Sequence, residues 1–101
     1  MKLRLTRELS DNFRNVFRRL GYSPDANVKS GDESYSRRIS GGQYPRYHVY
    51  INPQPDNTTI FSLHMDMKKP SYQGSHAHSA EYEGELVAQE IARIKNFMAT
   101  L

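Results

Sequence analysis

Two neighbouring segments alternate between apolar and polar side chains: residues 46–51, RYHVYI, and residues 58–66, TTIFSLHMD. Successive side chains of a strand point to opposite faces, so each segment predicts a strand with one apolar face. The residues between them, NPQPDN, include two Pro and predict a turn. The two strands are therefore expected to form an antiparallel hairpin.

The apolar residues of the hairpin set its expected register. Val49 is predicted to pair with Phe61, because a slip of one residue would turn the apolar face of one strand to solvent. The same register places His48 opposite Ser62. The second face of the sheet is then open to solvent or to a partner, and it carries a mixed set of side chains: Arg46, His48, Tyr50, Ile60, Ser62, His64 and Asp66.

Residues 6–20 and 84–99 have the apolar spacing of amphipathic helices. Thr6 is the expected N-cap of the first helix, and Gly21 is the expected residue just after its end. A first strand is predicted near residues 35–40, after a loop over residues 22–34. The sequence therefore predicts one α+β domain over residues 1–101, in the order α-β-β-β-α. Its three-stranded antiparallel sheet should carry both helices on one face.

This element order resembles the fold of double-stranded-RNA-binding domains and of small ribonuclease toxins that share it. The resemblance covers the order of elements only. Such RNA-binding domains begin their final helix with Lys residues, whereas residues 79–86, SAEYEGEL, are acidic here. The toxins place a Gly-Ser-His segment before a strand, whereas residues 74–76 follow the third strand here. Neither activity is therefore carried over.

Composition limits the classes of function. The chain of 101 residues has no Cys, which excludes disulfides, thiolate zinc sites and Cys nucleophiles. No segment approaches the length of about 20 apolar residues that a membrane helix needs. We therefore expect a soluble, cytoplasmic protein without a membrane partner.

Positive charge is concentrated in the first half of the chain. Residues 1–50 hold ten Lys or Arg and five Asp or Glu, and Tyr residues are interleaved with the Arg residues of the first two predicted strands. Arg and aromatic side chains together are typical of surfaces that bind phosphates and stack on bases. The leading hypothesis is therefore binding of RNA or another nucleic acid. Its candidate residues are Arg7, Arg14, Arg18, Arg37, Arg38, Arg46 and Tyr50.

His and acidic residues are concentrated between residues 64 and 83. His64 and Asp66 share one face of a predicted strand, and His76 and His78 follow in the next loop. Imidazole and carboxylate groups are ligands for zinc and other divalent metals. These four residues are therefore the candidate metal ligands. In a small metal-dependent hydrolase Glu81 or Glu90 would act as the base, although the sequence favours a binding domain over an enzyme.

Glu90 interrupts the apolar face of the second predicted helix. A buried carboxylate needs a partner. In a structural role that partner would be an Arg or Tyr of the sheet. As a base or metal ligand, Glu90 would instead lie near His64.

A third hypothesis is a protein-interaction module. It would pair with a partner or a second copy through the open sheet face or a sheet edge.

Overall fold

The structure is a computed structural model that describes residues 1–25, 33–67 and 80–101. The elements follow the chain as β1 (Lys2–Leu5), α1 (Phe13–Arg19), β2 (Ser23–Pro24), β3 (Glu33–Arg38), β4 (Arg46–Pro53), β5 (Thr59–Asp66), β6 (Ala80–Glu81) and α2 (Glu85–Met98). Five of the strands form one antiparallel sheet in the order β1-β5-β4-β3-β2, and β6 pairs with the end of β5.

The α+β class is confirmed, but the prediction of only three strands is wrong. Beyond the three predicted strands, the sheet contains β1 and β2, and β6 extends the pairing of β5. No element was predicted over residues 2–5, where β1 lies, and β2 lies in the segment expected to be a loop. These strands have four, two and two residues, so they are too short for a periodic signal. Their pairing partners are supplied only by the folded chain.

The first helix is shorter than predicted. It begins at Phe13 instead of Thr6, because the side chain of Asn12 caps it by accepting a hydrogen bond of 2.8 Å from the backbone nitrogen of Asn15. The predicted end is confirmed: Gly21 follows the last turn with a φ of 96°, a conformation that favours glycine. The bounds of α2 agree with the prediction to within one residue at each end.

The hairpin of β4 and β5 is confirmed, but its register differs from the predicted one by two residues. Val49 pairs with Leu63, and His48 pairs with His64. A slip of two residues leaves every side chain on its original face. The apolar alternation therefore cannot distinguish the two registers.

The turn decides the register. β4 continues to Pro53, which pairs with Thr59, so only residues 54–58 connect the strands. The turn is closed by a hydrogen bond of 2.8 Å from the backbone nitrogen of Gln54 to the carbonyl oxygen of Thr58. Asn57 adopts a φ of 68° within it, a left-handed conformation that Asn tolerates better than most residues.

Both helices pack on one face of the sheet, as predicted. The ring of Phe17 lies at the centre of this core. Its centroid is 5.3 Å from the ring centroid of Tyr35 and 5.7 Å from that of Phe61. The buried core comprises Val16, Phe17, Leu20, Tyr22, Tyr35, Tyr47, Val49, Ile51, Phe61, Leu63, Met65, Val87, Ile94 and Met98.

Neither helix of the described chain is long and apolar enough to cross a membrane.

Truncation of Phe17 tests this packing. Phe17 is 0 % exposed, so Phe17→Ala should lower the free energy of unfolding by about 3–5 kcal/mol through lost burial and a new cavity. Leu86 is 48 % exposed, so Leu86→Ala should change it by less than about 0.5 kcal/mol. Urea unfolding followed by circular dichroism measures both, and equal effects would contradict this placement of the core.

Candidate metal centre

Two histidines and an aspartate meet on the sheet face that the helices leave uncovered. His48 of β4 lies opposite His64 of β5, and Asp66 follows on the same face of β5 opposite Arg46. One potential ligand atom from each of His48, His64 and Asp66 lies within 4.8 Å of the others. The register of the hairpin therefore creates the cluster.

Asp66 links the two imidazoles. Its Oδ1 lies 2.8 Å from Nε2 of His64, and its Oδ2 lies 3.5 Å from Nδ1 of His48. The guanidinium of Arg46 donates from Nε to Oδ2 over 3.3 Å. Only 7 % of His64 and 4 % of Asp66 are exposed. The cluster is therefore shielded although it belongs to the uncovered face.

Asp25 contacts the other side of His48. Its Oδ2 lies 2.9 Å from Nε2 of His48. No described residue forms a hydrogen bond with this nitrogen, so the contact with Asp25 is an ion pair. The hydroxyls of Ser34 and Ser36 each donate to Asp25 over 2.6 Å. Asp25 directly follows β2, and β2 pairs with β3. This short strand therefore places Asp25 beside His48.

The charges within the cluster stabilise one another. Burial lowers the pKa of His48, but its contacts with Asp25 and Asp66 outweigh burial and raise the pKa to about 9. Burial raises the pKa of Asp25, whereas His48 and the two Ser hydroxyls lower it to about 2. The pKa of Asp66 is likewise held well below its usual range by both imidazoles in spite of burial. Both carboxylates are therefore charged at neutral pH.

Aromatic rings continue the cluster toward the surface. The ring centroid of Tyr50 lies 4.4 Å from that of His48 and 5.8 Å from that of His64. The ring of Tyr82 lies 5.2 Å from His64. They border a cavity of about 370 Å³. Its lining residues are Met1, Lys2, Tyr44, Arg46, His48, Tyr50, Ser62, Leu63, His64, Asp66 and Tyr82.

The structure brings together part of the predicted metal set. His64 and Asp66 are in contact, whereas His76 and His78 lie outside the described residues. His48 was missed as a ligand, although its place on the same sheet face was predicted, because the two-residue error in register paired it with Ser62. Asp25 was missed because it lies in a segment without periodic pattern.

The predicted nucleic-acid residues do not share one surface. Three of the candidates, Arg7, Arg14 and Arg18, were predicted within the first helix, but only Arg14 and Arg18 lie on α1, because Arg7 precedes it. The predicted residues divide into three groups. Arg14 and Arg18 are exposed on α1, and Arg7 donates a hydrogen bond to the carbonyl oxygen of Met98. Arg37 forms an ion pair with Glu90, whereas Arg38, Arg46 and Tyr50 lie on the uncovered sheet face.

Glu90 lies on the covered face of the sheet, away from His64. It accepts hydrogen bonds from the hydroxyl of Tyr22 over 2.6 Å, from Nη2 of Arg37 over 3.1 Å and from Nε of Arg93 over 2.8 Å. The expectation of an Arg or Tyr partner is therefore confirmed. A role as base or metal ligand stays a prediction for Glu90. It also stays one for Glu81, whose backbone belongs to β6.

Comparison of the chain with protein-family models, curated proteins and solved structures gives no match. The function is therefore argued from the geometry of the chain alone.

Loss of the Glu90 charge should destabilise the fold. Burial raises the pKa of Glu90, but the bonds from Arg93, Arg37 and Tyr22 outweigh burial and lower the pKa below its ordinary value of 4.5. Glu90→Gln should therefore cost about 1.5–3 kcal/mol at pH 7. The contribution is fully present above pH 4.5 and is lost as the pH falls through the lower pKa of the folded state.

Urea unfolding of both proteins at neutral and acidic pH measures this difference. The exposed substitution Glu85→Gln at the start of α2 is the control. A difference between Glu90→Gln and the parent protein that grows as the pH falls would contradict the assignment.

Proposed function

We propose that this protein is a divalent-metal-binding domain whose ligands include His48, His64 and Asp66. The observation that supports this most strongly is the approach of three different ligand groups to within 4.8 Å of one another on two paired strands. Strand-borne side chains with little exposure have few alternative rotamers. Their convergence therefore costs little additional entropy when a cation binds.

The separations of the ligand atoms suit a small cation. Zinc lies about 2.0–2.2 Å from nitrogen and oxygen ligands, so tetrahedral ligand atoms are roughly 3.2–3.6 Å apart. The distance from Nδ1 of His48 to Asp66 is 3.5 Å, and that from Nε2 of His64 to Asp66 is 2.8 Å. These two separations are within roughly 0.4 Å of the tetrahedral range, and all three ligand atoms lie within 4.8 Å of one another.

The surroundings also have the features of an outer shell. Metal-binding imidazoles usually place their second nitrogen against a carboxylate, which fixes the ring and increases its basicity. Asp25 occupies this position on His48, and Ser34 and Ser36 hold Asp25 in turn. A cation bound at Nδ1 of His48 takes the place of a proton, so the two carboxylates remain neutralised.

Three protein ligands leave one tetrahedral position for water or another ligand. All three ligand residues line the adjacent cavity, which would give such a position access to small molecules. An open position is compatible with hydrolysis, but Glu90 is bound on the other face of the sheet. Metal binding is therefore the function that we propose, and the small hydrolase remains the alternative.

Substitution of Asp66 tests the ligand set. Native mass spectrometry and isothermal titration with zinc should show one bound ion in the parent protein and none in Asp66→Asn, because a neutral amide is a poor ligand for zinc. The exposed Asp56, which contacts Arg4 at 3.9 Å, is the matched control. Asp56→Asn should bind zinc like the parent protein, and His48→Gln should lose it as Asp66→Asn does.

Substitution of Asp25 tests the outer shell. Asp25→Asn should keep one zinc ion but weaken its affinity by about 10–100-fold, as is typical of lost outer-shell contacts. Thermal unfolding without zinc checks that the variants are folded. Failure of the folded parent protein to bind zinc, manganese or nickel would contradict the proposed function.

A further inference from the structure

We propose that the cavity beside the histidine cluster binds a nucleotide unit of an unpaired strand, with the base on Tyr50 and Tyr82 and the phosphate near Lys2 and Arg46. All four residues line the same cavity. This proposal does not depend on a bound metal ion. It uses only part of the set that the sequence alone suggested: Arg46 and Tyr50 line the cavity, whereas Arg14 and Arg18 of α1 have no part in it.

Aromatic rings provide the stacking surface. Tyr50, His64 and Tyr82 form a continuous array, with centroid distances of 5.8 Å and 5.2 Å. The buried imidazole of His64 contacts both tyrosine rings. Of these rings, Tyr50 is 38 % exposed and Tyr82 is 59 % exposed. Because every base has a flat face, exposed aromatic side chains on a sheet are typical contacts for unpaired nucleotides.

Cations flank the rings on two sides. Lys2 of β1 and Tyr50 of β4 both lie opposite Ser62 of the intervening β5, so they form one row across the sheet. Arg46 lies four residues before Tyr50 on the same strand face, and its guanidinium carbon is 5.0 Å from the ring centroid of Tyr44. Positive groups on either side of a stacked base suit the phosphates that precede and follow it.

The size of the cavity limits the ligand. Its volume of about 370 Å³ lies near the lower end of the range of roughly 300–1,000 Å³ for small-molecule sites. Such a cavity suits one base with its sugar and not a duplex. A free nucleotide and a nucleotide within a strand share this chemistry, so the test must distinguish these two sources.

The experiment is a fluorescence anisotropy titration of a labelled oligo(U) RNA with the full chain, in EDTA and then in zinc. Binding is expected in both solutions and should weaken as salt increases, because phosphate contacts release counterions. Oligo(dT) tests DNA as the source, unlabelled uridine monophosphate tests the free nucleotide, and duplex RNA tests the requirement for unpaired bases. Binding to either strand or displacement by the mononucleotide supports the proposal and identifies the source.

Matched variants locate the surface. Tyr50→Ala should weaken binding about 5- to 100-fold through lost stacking, whereas Tyr50→Phe should restore most of it. Lys2→Gln should weaken binding several-fold more than Lys95→Gln, an exposed control on α2. Arg18→Gln on α1 should have no larger effect than that control.

Two results would overturn the proposal: absence of binding to every unpaired probe, or binding that tolerates both Tyr50→Ala and Lys2→Gln in folded protein. A stronger affinity for duplex RNA would overturn it as well. If zinc does not bind but oligo(U) binds in EDTA, the metal proposal fails and this one stands. If zinc binds and no nucleotide probe does, the reverse holds.

Discussion

The antiparallel register between β4 and β5 places His48 opposite His64 and Arg46 opposite Asp66. Every later feature of the uncovered face depends on that register. It brings two imidazoles to one carboxylate, and it positions Tyr50 next to both rings. A different turn of the same hairpin could keep the apolar core and still separate these groups, since a shift of two residues preserves the faces of a strand. The connection of residues 54–58 is therefore as important for the site as the ligands themselves.

Among the residues that the structure describes, the buried carboxylates are Asp66 and Glu90, and their surroundings differ in a way that bears on function. Glu90 is enclosed by Tyr22, Arg37 and Arg93, which donate to both of its oxygens on the helix-covered face. Such saturation offsets the cost of burying a charge and indicates a structural role. Asp66 instead contacts two imidazoles and one guanidinium beside a cavity. Imidazole can exchange its proton for a metal ion. The surroundings of Asp66 therefore include potential metal ligands, whereas those of Glu90 do not.

Sequence patterns predicted the strongly periodic elements well. The alternation of residues 46–51 and 58–66 located β4 and β5, and the apolar spacing near the C-terminal end located α2 almost to the residue. The same patterns placed His64 and Asp66 on one strand face. They failed where the signal is short or non-local. β1 is a short strand whose partner, β5, is distant in the sequence. The start of α1 is set by the cap that Asn12 provides. Asp25 joined the cluster without any signal in the sequence.

The sequence by itself determined the class of fold, the single covered sheet face and the two residues that form the centre of the candidate site. These follow from local periodicity, because the spacing of apolar residues within one segment indicates both its secondary structure and the face that is buried. Only the tertiary structure decided that His48 and Asp25 complete the cluster. It also decided that Arg37 forms an ion pair with Glu90, and that Lys2 and Tyr50 lie in one row across the sheet. Those contacts depend on register and on strand order, which are set by turn geometry and by pairing between distant segments.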